Sequence, residues 1–426
     1  MDTKNIVAAI SLSAAVIVLY SLFFAPPPIT KENMAEGNKV EQNSDTPSLD
    51  QKENVAEISR EEALNQSERI NFENESIVGS ISLKGGVIDD LTFKQYNVSL
   101  DSQEKVTLLS PRNSKDGYLI ESGFITSDKN VEIPNSNSIW KVSGNNKLTD
   151  QSPIKISWTN DQGITFEKEI ALDDKYLFSI KQSVINPTDK KYDFYTYGQI
   201  IRNEMPDISN FYILHEGLVA TLDDELIEED YDDIQEKKFS RTAQKGWLGI
   251  GDKYWVTSLI PPREKEFKTT FDYKDKFRAN FVSTEPLELN ENSLIEETLQ
   301  IIVAAKRVDV IDGYAESLNI DKFDLTIDWG FLYFITKPLF FGIDYFFKLL
   351  GNYGLAIIAI TICIRLAFFP LANFSFRSMA KMKALQPEMA RLKELHKDDK
   401  MKLQQAMMAL YKKEKVNPMS GCLPIL

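Results

Sequence analysis

Cysteine and histidine are almost absent: two of each in 426 residues, namely Cys363, Cys422, His215 and His396. Two cysteines cannot build a disulfide framework, and two histidines leave too few ligands for a zinc site. The chain has no glycine-rich phosphate loop, no metal-ligand spacing and no basic strip interleaved with aromatics. Its net charge of −14 excludes nucleic acid, DNA included, as the main ligand, because phosphate binding needs a basic face. No nucleophile–base constellation stands out either. His215 beside Glu216 reads as a satisfied polar contact, His396 as a solvated turn residue, and both cysteines as packing residues. The reading is a non-enzymatic chain without cofactor or metal.

What the sequence does contain is unevenly spread. Ile6 to Phe24 carries no charge over 19 residues and as a helix would rise about 28 Å, one hydrocarbon core. Phe23 and Pro26 are poor neighbours for a cleavage after Ala25, so residues 1–25 read as an uncleaved transmembrane signal anchor. A cleaved signal is the alternative. Residues 26–70 are polar, acidic and poor in aromatics, and read as a flexible periplasmic tether that cannot offset its ordering entropy. Within them Ser59-Arg60-Glu61-Glu62 fits a capping box, opening one short helix before Ile70.

Residues 71–305 are built of short segments dense in β-branched and aromatic residues. Many alternate with period two, as in Ile164-Thr-Phe-Glu-Lys-Glu-Ile170, and turn signals such as Gly85-Gly86 and Asn160 to Gly163 separate them. This predicts a large antiparallel β-sandwich. The acidic run Asp223 to Asp233 is expected to be a solvated loop rather than a metal site. Residues 306–327 predict a connecting helix.

Residues 328–350 are very apolar, but Lys337, Asp344 and Lys348 fall at steps of seven and four, on one helical face. That pattern predicts an amphipathic helix in the membrane interface, with a spanning helix as the alternative. Residues 351–376 form a second apolar run with one charge, Arg365, and predict a transmembrane helix. Counted from Gly354 to Phe376, Arg365 lies about 16 Å from either end. An arginine at that depth costs roughly 2.5–3.5 kcal/mol. It either snorkels to the cytoplasmic interface or faces a wet cavity inside the protein. Thr361, one turn earlier, makes the same face polar twice.

Residues 375–416 carry a net charge of +6, against −20 for the rest of the chain. Lys and Arg concentrate on the cytoplasmic side of membrane spans, so this segment reads as cytoplasmic and the acidic sandwich as periplasmic. Met379, Met382, Leu385, Met389, Leu392 and Leu395 fall at steps of three and four, and Met401, Met408 and Leu410 form a looser stripe. A polar turn, His396 to Lys400, lies between them. Residues 377–416 therefore predict an antiparallel helical hairpin, with Pro387 near the start of its first packed helix and Asp398 or Asp399 capping its second. The methionines serve either as core or as an adaptable face for apolar segments. Residues 417–426 read as the start of a further, truncated transmembrane helix.

Three stretches closely resemble the YidC/Oxa membrane protein insertases: Gly351-Asn-Tyr-Gly through Ile364-Arg365-Leu to Phe369-Pro370-Leu, Met379 to Pro387, and Met407 through Asn417-Pro418 to Gly421-Cys-Leu-Pro424. Ile81-Ser-Leu-Lys-Gly-Gly86, Gly246-Trp-Leu-Gly-Ile250 and Asp328-Trp-Gly330 are similar to the Gram-negative branch of that family. The resemblance implies a multi-pass membrane α-helical protein of the bacterial inner membrane. It also implies a large periplasmic all-β supersandwich domain and a cytoplasmic helical hairpin. It implies a hydrophilic substrate groove whose arginine matches Arg365 and whose hydroxyl matches Thr361, and more membrane helices than this chain contains. The implied activity is insertion and folding of nascent membrane proteins, alone or with the Sec translocon and its accessory subunits. The implied partners are the ribosome, the signal recognition particle pathway and the lipid bilayer. Two rivals are a membrane-anchored periplasmic binding or sensor protein with a cytoplasmic output hairpin, and a membrane-anchored carbohydrate-processing enzyme.

Overall fold

The computed structural model describes residues 57–206, 215–330, 332–397 and 399–414. The expected anchor, the tether up to residue 56, Asp398 and the apolar terminus lie outside the described residues. The chain divides into two compact units, a β unit ending at Gly330 and a helical unit after it.

Two sheets, of 11 and 9 strands, make the β unit. The alternation seen in the sequence builds their facing surfaces. Strand Thr165–Leu172 buries Phe166, Ile170 and Leu172, and its antiparallel neighbour Leu177–Asn186 sets Val184, Ile180 and Phe178 opposite them. Aromatic rings then tie one sheet to the other. Phe72 meets Phe178 edge-on at 5.2 Å, and Phe93 stacks on Trp255 at 4.6 Å. Among the described residues pairing is antiparallel except where Asn71 and Phe72 lie parallel to Lys147 and Leu148, and at an isolated parallel bridge between Ile58 and Ser114. The turn between strands Ile77–Ser82 and Val87–Asn97 has Gly85 and Gly86 at φ 80° and 63°. A Cβ on Gly86 would also approach Trp140 Nε1 to 2.9 Å, so glycine is required there twice over.

Several stretches of the β unit differ from expectation. Residues 57–70, expected as the end of the tether, are folded with the β unit, and the first described strand opens at Arg69 rather than at 71. Helix α1 (Arg60–Leu64) forms behind a complete Ser59/Glu62 capping box. It is folded onto the sheet because Ala63 is buried and Arg60 pairs with Asp90. The acidic run is a hairpin and a helix, not a loop. Asp223 and Asp224 take φ 50° and 68° in the turn between strands Gly217–Leu222 and Glu225–Asp230, and helix α2 (Tyr231–Glu236) follows. Ile227, Tyr231 and Ile234 anchor it in the core while the acids face out. No metal-binding group occurs among the described residues.

Residues 306–327, expected as a connecting helix, form a helix and a 3₁₀ turn that pack on the core. Helix α3 (Val308–Ser317) buries Val310, Ile311 and Tyr314. The Tyr314 hydroxyl donates to the Asp173 carboxylate at 2.6 Å and accepts from the Tyr176 amide at 2.8 Å. The 3₁₀ turn Phe323–Thr326 then sets Phe323 edge-on to Trp247, ring centroids 5.3 Å apart, with both rings fully buried. Phe323→Ala is expected to cost about 3–5 kcal/mol in chemical denaturation of the protein followed by tryptophan fluorescence. A loss below about 1 kcal/mol would show that the core closes without this turn.

The helical unit contains α4 (Tyr333–Leu350), α5 (Tyr353–Ala384), α6 (Gln386–Leu395) and α7 (Lys400–Lys413). Helix α5 runs past the expected end at 376. The side chains switch from apolar to basic there, but alanine, lysine and arginine are good helix formers, and the helix carries Pro370 inside it and ends at Ala384, just ahead of Pro387. Met379 and Met382 therefore belong to α5, while Met389 belongs to α6.

Candidate functional site

Gly351 ends α4 in the left-handed conformation, φ 66°, and Asn352 opens α5 with Oδ1 accepting from the Leu355 amide at 3.2 Å. Across this two-residue joint Phe347 stacks on Tyr353, centroids 3.9 Å apart and planes 13° from parallel. Gly342 lets the helices come close: a Cβ there would lie 2.9 Å from Ile360 Cδ1. The sequence reading passes over Gly342, whose meaning depends on a partner 18 residues away in the chain. On α4, Lys348 pairs with Asp344 at 2.7 Å, while Phe334, Ile335, Phe341, Tyr345 and Leu349 are exposed.

Among the described residues α5 is the one helix long and apolar enough to cross a bilayer. Its 32 residues rise about 48 Å. Only Ala356, Ser375 and Ser378 are buried on it; Ile358, Ile362, Leu366, Phe368 and Phe369 are exposed. Arg365 sits ten residues after Leu355 and eleven before Phe376, the bounds of the apolar stretch. Its side chain is exposed and meets no ionic or hydrogen-bond partner among the described residues. Thr361 is one turn away on the same face, and its hydroxyl donates to the Ile357 carbonyl at 2.6 Å. The proton of that hydroxyl is spent on its own helix, so Thr361 offers this face acceptor lone pairs only. Cys363 is exposed and free.

The following two helices pack on each other. Pro387 occupies the first turn of α6, and Asp399 caps α7 with Oδ1 accepting from the Lys402 amide at 3.0 Å. That amide holds the Asp399 carboxyl below its ordinary range. The Tyr411 hydroxyl donates to Met389 Sδ at 3.8 Å, which makes the pair antiparallel. Leu395, Met401 and Met408 remain exposed. His396 ends α6. In the β unit, His215 Nδ1 lies 3.2 Å from Asp230 Oδ1 and Nε2 lies 3.2 Å from the Leu218 carbonyl oxygen. It is a satisfied polar contact, as its surroundings in the sequence suggested.

Residues 69–341 match the family described as the YidC periplasmic domain, and residues 345–426 match the 60Kd inner membrane protein family. The chain is 72% identical to the membrane protein insertase YidC of Pelagibacter ubique, over 100% of this chain and 76% of that one. It is 39% identical to the membrane protein insertase YidC of Rickettsia prowazekii, over 99% of this chain and 76% of that one. The chain thus spans about three quarters of the length of these curated relatives. Among solved structures, an active YidC insertase with its first transmembrane domain resolved is similar at TM-score 0.30 and 16% identity, over 85% of this chain and 69% of that one. A galactose mutarotase related enzyme from Lactobacillus acidophilus is similar at TM-score 0.40 and 11% identity, over 56% of this chain and 97% of that one. With its periplasmic domain matched over more than half of the sequence and a relative 72% identical along its whole length, this chain belongs to the YidC family of membrane protein insertases.

Proposed function

We propose that the chain inserts membrane proteins without covalent chemistry, using the face of α5 that carries Arg365 and Thr361 as one wall of a wet groove. The observation that carries this is Arg365 itself: a charge midway along an exposed apolar helix, unpaired among the described residues. A water-filled cavity removes most of the roughly 2.5–3.5 kcal/mol that lipid would exact there. The groove takes a polar terminus of a nascent membrane protein, and the attached apolar segment moves sideways into lipid, where burial drives the step. Helix α4 lies in the interface with its Lys337, Asp344 and Lys348 face toward water. The basic α6–α7 hairpin receives substrates from the ribosome and the signal recognition particle pathway, and the Sec translocon shares the work for some of them. The acidic β unit is periplasmic and the hairpin cytoplasmic, following the charge asymmetry of the chain.

Topology is the test. With Cys363→Ser and Cys422→Ser in the background, a membrane-impermeant maleimide should label Ser127→Cys in cells whose outer membrane is permeable. Lys400→Cys should react only after lysis. Both positions are exposed, so accessibility reports the side of the membrane. The reverse pattern would overturn the assignment and with it the approach to Arg365 from the cytoplasm.

A further inference from the structure

Helices α4 and α5 pack along one stripe of each. On α4 the half-buried positions include Leu339, Gly342, Ile343 and Phe346, spaced as one helical face. On α5 the covered positions are Ala356, fully buried, with Ala359 and Ile360 half-buried beside it. Gly342 and Ile360 meet as small against large. A Cβ on Gly342 would lie 2.9 Å from Ile360 Cδ1, so a methyl fits only if that terminal carbon turns aside, and a branched side chain has no room. The Phe347–Tyr353 stack closes the seam at the joint. Lys348, nine residues beyond Leu339 and so two and a half turns round, lies on the far side of α4 from this seam.

The same arithmetic locates the polar face of α5. Arg365 is nine residues beyond Ala356, two and a half turns, and therefore opposite the seam. Thr361, five residues beyond Ala356, is about 140° round from it. Pro370 comes after both, so the helix between seam and arginine carries no proline. A lone apolar helix can roll about its own axis, and a roll of about a quarter turn would swing Arg365 from one flank to another, where lipid charges roughly 2.5–3.5 kcal/mol for it. The seam takes that freedom away. Gly351 at φ 66° and the Asn352 cap fix where α5 begins, and the Gly342–Ile360 contact, two turns further on, fixes how it is turned.

We propose that α4 sets the rotation of α5 about its axis, with Gly342 and Ile360 as positioning residues that aim Arg365 and Thr361 away from α4, and that the seam stays closed while a substrate is inserted. The inference rests on the reading of the Arg365 face as a groove wall and adds what holds that wall in its orientation.

The test is made in the full-length protein, with carbonate extraction to confirm integration and matched acidic- and neutral-tailed substrates as the readout. Gly342→Leu should lower insertion of the acidic-tailed substrate about fivefold or more and of the neutral one much less, because aim matters only to a substrate that uses the charge. Adding Ile360→Ala moves the bulk from one helix to the other and should restore most of the loss. If Gly342→Leu fails to integrate, Tyr353→Ala removes the stack without adding bulk and carries the same comparison. Equal loss on both tails, or no loss on either, would overturn the positioning role. The closed seam is tested by joining Gly342→Cys to Ile360→Cys with a short bifunctional thiol reagent, in the Cys363→Ser and Cys422→Ser background. Insertion should survive the cross-link; its loss on cross-linking would show that α4 must leave α5 and would overturn that part. Arg365→Ala measured alongside separates the two readings. Tail-selective loss there but not in the seam variants refutes positioning alone, whereas its absence in Arg365→Ala refutes the groove wall and the positioning with it.

Discussion

Removing Gln386–Lys413 is expected to abolish membrane protein insertion while leaving the protein integrated in the bilayer. The deleted residues make α6, α7 and the turn between them, and the contacts that hold this hairpin together are its own, as in the Tyr411–Met389 pair. Little of the remaining fold depends on them. What is lost is a surface: half of the +6 charge of residues 375–416 together with exposed Leu395, Met401 and Met408. Such a surface suits acidic or RNA-rich partners and emerging apolar segments at the same time. Complementation of depleted cells gives the readout, with carbonate extraction reporting integration. Deleting a similar length of the acidic, aromatic-poor segment Thr30–Val55 should be tolerated, since its composition cannot support a packed structure. Growth on the hairpin deletion would reduce the hairpin to a connector.

Arg365→Ala is expected to impair substrates with acidic translocated tails most and neutral-tailed ones least. Opposite charges about 4 Å apart gain roughly 4 kcal/mol at an effective dielectric near 20, before desolvation is subtracted. Losing only ~1.4 kcal/mol of that weakens capture about tenfold. Arg365→Lys should keep much of the activity, because attraction to a mobile carboxylate needs a point charge and no bidentate geometry. Neutralising the substrate tail should restore insertion by the alanine variant to the level of the parent. An arginine that merely snorkels gives the opposite forecast: alanine is harmless or slightly stabilising, since the insertion cost of about 3 kcal/mol disappears with the charge. Insertion of a matched acidic and neutral pair separates the two. Equal effects on both tails would leave Arg365 as a structural residue.

Local signals were readable wherever the chemistry is local. The Ser59–Glu62 capping box, the Gly85-Gly86 turn, Pro387 in the first turn of α6 and the Asp399 cap all occur as the residues imply. Where the fold departs from the sequence pattern, a few buried anchors outweigh the average composition around them. Ile227, Tyr231 and Ile234 are spaced to bury one side of a strand and a helix, but the acids between them dominate any window. Val310, Ile311, Tyr314 and Phe323 pass for the apolar face of a linker until the sheets are there to receive them. The orientation of α5 is half legible. That Thr361 and Arg365 share a face follows from the helical period, whereas Gly342 and Ile360 lie on different helices and meet only in the fold.

The length of α5 has a mechanical consequence. If the helix starts at the outer hydrocarbon boundary and stands upright, about 30 Å of its 48 Å lies in lipid tails and about 18 Å remains. Headgroups cover roughly 6 Å of that remainder. The hairpin is then carried about 12 Å clear of the surface, beyond one Debye length of about 8 Å at physiological salt. A basic hairpin lying on anionic lipid would be neutralised by it. On the proposed topology such a stalk would keep the hairpin's lysines and arginines unclaimed by the membrane and free to compete for a partner in solution, and a tilt, or a bend at Pro370, would lower them into the lipid's field.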